Sequence, residues 1–189
     1  VPKNRQSVPR EERRSELVSA ATEMFLANGY AGTTMTGISA SAGLSSATVY
    51  WYFKSKDDVF AAVMDRMLGR ETRALDDELA WADPVTALTR GLADMRPFRS
   101  LHRSMHERME HSQAVAEAHD RFVGWVRDMV YAVLDRSETT LDRELAADVA
   151  VAIFEGANLP EAPTRPAHEM MRFALDAMVR PQAGPSIQT

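Results

Sequence analysis

The stretch Gly29 to Phe60, GYAGTTMTGISASAGLSSATVYWYFKSKDDVF, decides how this chain is read. Its apolar residues recur at helical spacing in two short runs, and the residues between the runs favour a tight turn. Thr34 is placed to cap a first short helix over Thr33 to Ala42, because its side-chain oxygen can accept a backbone N–H that the first turn leaves unpaired. That helix carries Met35, Ile38 and Ala42, and Gly43 closes it. Leu44, Ser45 and Ser46 form the turn, with Ser45 the natural cap of a second short helix running from about Ser46 to Tyr52. Lys54 and Ser55 then break the pattern. Ser55 can cap a longer helix from near Lys56, and Asp57 and Asp58 sit favourably at its positive end.

Two short helices joined by a glycine-containing turn are the sequence picture of a helix-turn-helix, whose second helix can enter the DNA major groove. Ile38, Ala42, Leu44 and Val49 are expected to pack the pair onto the first helix, with Phe53 in the core. Ser46, Ala47, Thr48, Tyr50, Trp51 and Tyr52 then remain outside. Small and hydroxylated residues let the helix start approach bases closely, while tyrosine hydroxyls can donate to phosphates and aromatic faces can meet thymine methyls. Lys56, at a helix N-terminus, is expected to add a phosphate contact by charge and dipole.

Outward from this motif almost every segment has helical periodicity. The first helix, from about Pro9 to Asn28, aligns Leu17, Ala21, Met24 and Phe25 in one stripe, with Pro9 in its first turn and Gly29 just past its end. Downstream, Pro84 opens a helix after a Trp81 to Asp83 loop, and Pro97 ends or kinks it. Further helices are expected from Phe98 to about Ser112 and from about Ala114 to Arg136, the latter with Val126, Val130, Val133 and Leu134 on its broad apolar face. After a break at Ser137 to Thr140 come segments over Leu141 to Asn158 and Pro166 to Val179, linked by Pro160 to Pro166. The expected architecture is all-α, about nine helices: a three-helix DNA-binding head over residues 1–55, a helical body over 56–180, and a frayed tail over 181–189.

The net charge of -5 is unevenly spread. Through Lys56 seven bases face four acids, about +3, whereas the remainder sets 15 bases against 23 acids, about -8. All three lysines lie within this first stretch. A basic head beside an acidic body suggests one surface turned toward phosphates. With no cysteine there is neither a disulfide framework nor a thiolate metal site, which fits a reducing cytosol. No run of roughly 18 apolar residues and no secretory core appear, so a cytoplasmic protein without a membrane partner is expected.

Residues Gly29 to Phe60 closely resemble the DNA-binding signature of the TetR family: a TT-capped helix, an A-G-[LV]-S turn, then T-[VL]-Y-x-Y-F-x-S-K and an acidic pair. The match covers about a sixth of the chain. It implies that Thr34, Thr36, Ser45, Tyr52 and Lys56 hold phosphates, while Ser46, Ala47, Thr48, Tyr50 and Trp51 face base edges or the adjacent backbone. Two departures stand out. Many relatives carry Lys or Arg in place of Ser46 and Gly in place of Ala47, and Trp51 is bulkier than usual, so no operator sequence can be carried over. The resemblance also makes residues 56–180 a ligand-binding and dimerisation body, and the implied function is a repressor, homodimeric through its last two long helices, that a small, largely apolar inducer releases from a palindromic double-stranded operator.

In the body, Leu141, Leu145, Val149, Ile153 and Gly156 share one face of a helix while Ala147, Val151 and Phe154 lie on another, so that helix can face a core and a partner together. Phe173, Ala174, Ala177 and Met178 repeat this in the last helix. Candidate ligand-lining residues are Phe98, Met105, Met109, Phe122, Trp125 and Met129, since thioethers and aromatics suit an apolar ligand. His102 and His106 are four apart, a spacing at which two imidazoles can share a metal. No third ligand is fixed by the sequence, so polar contacts to the inducer are the expected role, with no metal and no cofactor. The competing reading is a helical-bundle carrier or enzyme without DNA recognition. It finds no repeated Glu-x-x-His pair, phosphate-binding glycine loop or activated nucleophile.

Overall fold

A computed structural model describes residues 9–79, 84–94, 96–137, 139–158 and 165–179. The Trp81 to Asp83 loop, most of the Pro160 to Pro166 link and the 181–189 tail lie outside the described residues. Among the described residues all regular structure is helical: α1 (Arg10–Gly32), α2 (Met35–Ser41), α3 (Ser46–Tyr52), α4 (Lys56–Leu79), α5 (Pro84–Asp94), a 3-10 turn (Arg96–Phe98), α6 (Arg99–Met109), α7 (Gln113–Asp135), α8 (Arg143–Asn158) and α9 (Ala167–Val179). None of these is long and apolar enough to cross a membrane. Leu141, read as the start of the eighth helix, precedes it, because the Asp142 carboxylate accepts the Glu144 and Leu145 N–H groups as an N-cap.

The chain forms two compact units, Val1–Gly69 with Pro97–Asp120, and Arg70–Arg96 with Arg121–Thr189. Packing thus joins α6 and the first turns of α7 to the helix-turn-helix, past the functional division expected at residue 55.

In the first unit, the core runs from Leu17, Ala21 and Phe25 of α1 through Ile38, Val49, Phe53, Val59 and Phe60 to Leu101, Met105 and Val115, all buried. Phe25, Tyr30 and Phe60 form its aromatic centre. The Phe60 ring meets Phe25 and Tyr30 edge-on, at 5.1 Å in each case. Gly29 breaks α1 with φ 69°, a conformation L side chains avoid, and one last turn follows to Gly32. The carbonyls freed at this kink are satisfied by the buried Thr33, whose Oγ1 lies 2.8 Å from the Gly29 oxygen and 3.2 Å from that of Met24.

In the second unit α9 packs against α5 and α8. Val85, Leu88, Leu92, Val126, Val130, Ala147, Phe154, Met171 and Leu175 are buried there. On α8, Ala147 and Phe154 point into the core while Leu145 stays 61% exposed, so the two apolar faces read from its periodicity separate as inward and outward.

Candidate nucleic-acid interface

Local chemistry builds the helix-turn-helix. Thr34 Oγ1 accepts the Gly37 N–H at 3.0 Å and starts α2. The Gly43 N–H donates to the Ala40 carbonyl and that of Leu44 to the Ser39 carbonyl, closing the helix end, and Gly43 turns the chain at φ 65°. Ser45 Oγ accepts the Thr48 N–H at 3.2 Å and starts α3. A second link ties the two helices: the buried Ser39 hydroxyl donates to the Thr36 carbonyl and lies 3.2 Å from Ser46 Oγ. Ile38 and Val49 are fully buried and Leu44 and Ala42 pack on the same core, which sets the roll of α3.

That roll leaves a defined outer face. Thr36, Ser45 and Ala47 are exposed, with Tyr50 54% and Trp51 63% exposed, which is unusual for large rings in an ordered helix. Ser46, Thr48 and Tyr52 are half-buried at its margins. Thr34 is exposed, and its capping oxygen still has an O–H to donate, while Ser45 Oγ shares a hydrogen bond with Thr48 Oγ1 at 2.8 Å. Phe53 is buried, as read from the sequence.

The Arg10 guanidinium stacks over the Trp51 ring at 4.7 Å, and Arg14 lies 5.1 Å from the Phe53 ring. Arg10 had entered only the charge count of the head, because α1 reaches α3 through the tertiary fold. This stacking holds a cation beside the exposed rings.

Lys56 is placed differently from its expected position at a phosphate. Its Nζ donates to the Tyr30 carbonyl at 2.9 Å and the Thr33 carbonyl at 3.0 Å, and stands 4.0 Å over the Tyr30 ring. The ammonium therefore closes the C-terminal end of α1, where unpaired carbonyls attract a cation. Burial lowers its pKa, opposed by the charge of Asp57. Its backbone N–H remains in the first turn of α4.

Next to it, Asp57 receives the Tyr30 hydroxyl and both forks of the Arg108 guanidinium from α6, Nε at 3.0 Å and Nη2 at 2.7 Å. Burial pushes the Asp57 carboxyl up, but the hydrogen bonds from Arg108 and Tyr30 and the charges of Arg108 and Lys56 outweigh it and hold the group below the usual carboxylate range. Burial and then the Asp57 bond raise the Tyr30 hydroxyl to about 12. Sequence reasoning gave this cluster no role, since no short-range spacing joins its members.

The residues expected near a ligand divide between the units. His102 and Met105 of α6 are buried, His106 and Met109 partly so, and Met105 belongs to the core of the head. Phe98 lies in the 3-10 turn, its side chain outside the described set. In the second unit Phe122 packs on Phe154 at 4.6 Å and on Trp125 at 5.8 Å, and Met129 is partly buried one turn on. The buried Trp125 Nε1 has no hydrogen-bond partner among the described residues.

The family model for bacterial regulatory proteins of the tetR family matches residues 17–63. The HTH-type transcriptional regulator SrpR of Pseudomonas putida is 26% identical over 160 residues, covering 77% of this chain and 71% of SrpR. Among solved structures, a TetR transcription regulator from Haloarcula marismortui superposes with a TM-score of 0.76 at 23% identity, over 90% of this chain and all of that one. Thermus thermophilus FadR, a TetR-family repressor in complex with lauroyl-CoA, does so with a TM-score of 0.64 at 18% identity, over 91% of this chain and 98% of its own. These structural likenesses concern the fold. With the helix-turn-helix formed as described and matched by the family model, the chain belongs to the TetR family and is a DNA-binding transcriptional regulator.

Proposed function

We propose that this regulator is a repressor that grips a palindromic operator as a homodimer and leaves it when a small, largely apolar ligand occupies the helical body. One observation carries the DNA half of this reading: Val49 anchors α3 in the core while Ala47, Tyr50 and Trp51 face solvent from its other side. Ser46, Ala47, Thr48, Tyr50 and Trp51 then read bases, the Ala47 methyl and the rings favouring thymine methyls. Thr34, Thr36, Ser45 and Tyr52 hold phosphates through hydroxyls, Lys56 through its backbone N–H, and Arg10 through its guanidinium.

The homodimer reading is supported by the outward side chains of the last two helices, Leu145 and Phe173, the latter 78% exposed. Apolar surface of this size on two neighbouring helices suits a partner of the same kind. The ligand half is supported by Phe122, Phe154 and Trp125 in the second unit, where the indole N–H could meet an acceptor on an otherwise apolar molecule. The lauroyl chain of the lauroyl-CoA in the Thermus complex is of that character. A ligand favouring a head separation other than the half-site spacing of roughly 34–36 Å shifts the population away from the DNA-bound form, with α4 as the lever. Such a protein works in the cytoplasm, where its operator lies.

Operator selection from random duplexes with the purified protein, repeated at two salt concentrations, tests this. Enrichment of one palindrome is the expected result. Binding without enrichment, by correctly folded protein, overturns sequence-specific regulation.

A further inference from the structure

We infer that His102, His106 and His119 form a binding site for a divalent transition ion of the zinc class. His102 and His106 lie one turn apart on α6, with their Nε2 atoms 3.3 Å apart and their rings 4.6 Å apart at 64°. That separation is long for a hydrogen bond between ring nitrogens, for which about 2.7–3.2 Å is usual. It equals the edge of a tetrahedron around an ion bound at about 2.0–2.1 Å, which is about 3.3 Å.

The third imidazole comes from α7. The ring of His119 stands 5.2 Å from that of His106, inclined at 68°. Two imidazoles on one tetrahedral ion keep their centroids about 5 Å apart, so the His119 ring is spaced from that of His106 as two ligands of one ion are. All three residues belong to one compact unit, and the neighbouring Leu101, Met105, Val115 and Ala118 are buried in its core. His102 itself is only 7% exposed. Such surroundings hold the first two rings in place, so little side-chain entropy remains to be lost on binding.

Ligand chemistry names the class of ion. Imidazole nitrogens suit zinc, cobalt, nickel or copper and not magnesium or calcium, which take oxygen ligands.

The test is titration of the untagged full chain with Co2+, followed by the visible bands of tetrahedral cobalt, and then displacement by Zn2+. One ion per chain is expected, displaced stoichiometrically by zinc. Even partners that only orient a ligand are worth about 10–100-fold in affinity, so His102→Gln and His106→Gln should each weaken binding by at least about 100-fold. His119→Gln should do the same, while His111→Gln and His168→Gln should leave it unchanged. Circular dichroism of each metal-free variant separates ligand loss from misfolding, and the wild-type titration stands independently of the variants. An octahedral cobalt spectrum on the wild-type chain, or equal binding by a folded His102→Gln/His106→Gln double variant, overturns the site. Loss in the α6 variants but not in His119→Gln overturns the assignment of His119.

Discussion

Arg108 clasps Asp57 with both forks of its guanidinium across 51 residues of chain, at 3.0 and 2.7 Å. Asp57 opens α4 directly after the helix-turn-helix, and Arg108 ends α6, so one carboxylate fixes where these two helices meet. The Tyr30 hydroxyl donates to the same carboxylate, and Lys56 beside it closes the end of α1. Three helices of the head's own unit therefore converge on two consecutive residues.

Arg108→Ala leaves a half-buried carboxylate without its strongest donor and should destabilise the protein by about 1–3 kcal/mol, read from urea unfolding. Asp57→Asn should lose a similar amount. Because the two side chains touch, the double variant should lose less than the sum. Strictly additive losses would mean that the pair contributes nothing as a pair.

The same cluster sets a pH response at both ends of the scale. Asp57 has a folded-state pKa below its ordinary 3.8, so its stabilisation is present above that value and is lost as pH falls through the lowered one. Tyr30 has the opposite sign: its contribution is present below 10.0 and is lost as pH rises toward about 12. The tyrosinate absorbance of the wild type minus that of Tyr30→Phe should therefore titrate near 12. A midpoint near 10 would remove the hydroxyl from the cluster.

Lys56→Ala and Arg10→Ala should part company. The first deprives two carbonyls of a charged donor and should cost about 1.5–3 kcal/mol of stability, with little change in the salt dependence of DNA binding. The second removes a guanidinium stacked on an exposed ring and should lower the slope of log K against log salt by about one. A drop of that size for Lys56→Ala at unchanged stability would return its ammonium to a phosphate.

Thr48→Ala removes a hydroxyl from the side of α3 proposed to read bases and should alter the preference among operator sequences. Ser45→Ala removes the helix cap and should cost about 1 kcal/mol of folding stability, weakening binding to all sequences alike. If the two variants behave identically in operator selection, the division between reading and positioning residues is wrong.

Leu145→Glu and Phe173→Glu place charge on exposed apolar positions of α8 and α9. The expected outcome is a shift from dimer to monomer in light scattering, with operator affinity lost in parallel. Unchanged mass for both variants would move the partner surface elsewhere.

The helices and their ends were legible from residue order because their causes are local. A cap reaches three residues, an apolar stripe repeats every three or four, and a turn glycine acts on its own φ. Thr34, Ser45 and Ser55 cap within three residues, and Gly29 and Gly43 adopt the positive φ that a chain break requires. The family signature is of the same local kind. Pairings between distant residues are not, because nothing in a short window says which helix will face which. Lys56 read as a free cation at a helix start until folding brought the Tyr30 and Thr33 carbonyls to it. Arg10 met Trp51, Arg108 met Asp57 and His119 met the pair on α6 only after α1, α4, α6 and α7 had packed, since apolar burial selects those neighbours and the polar partners follow.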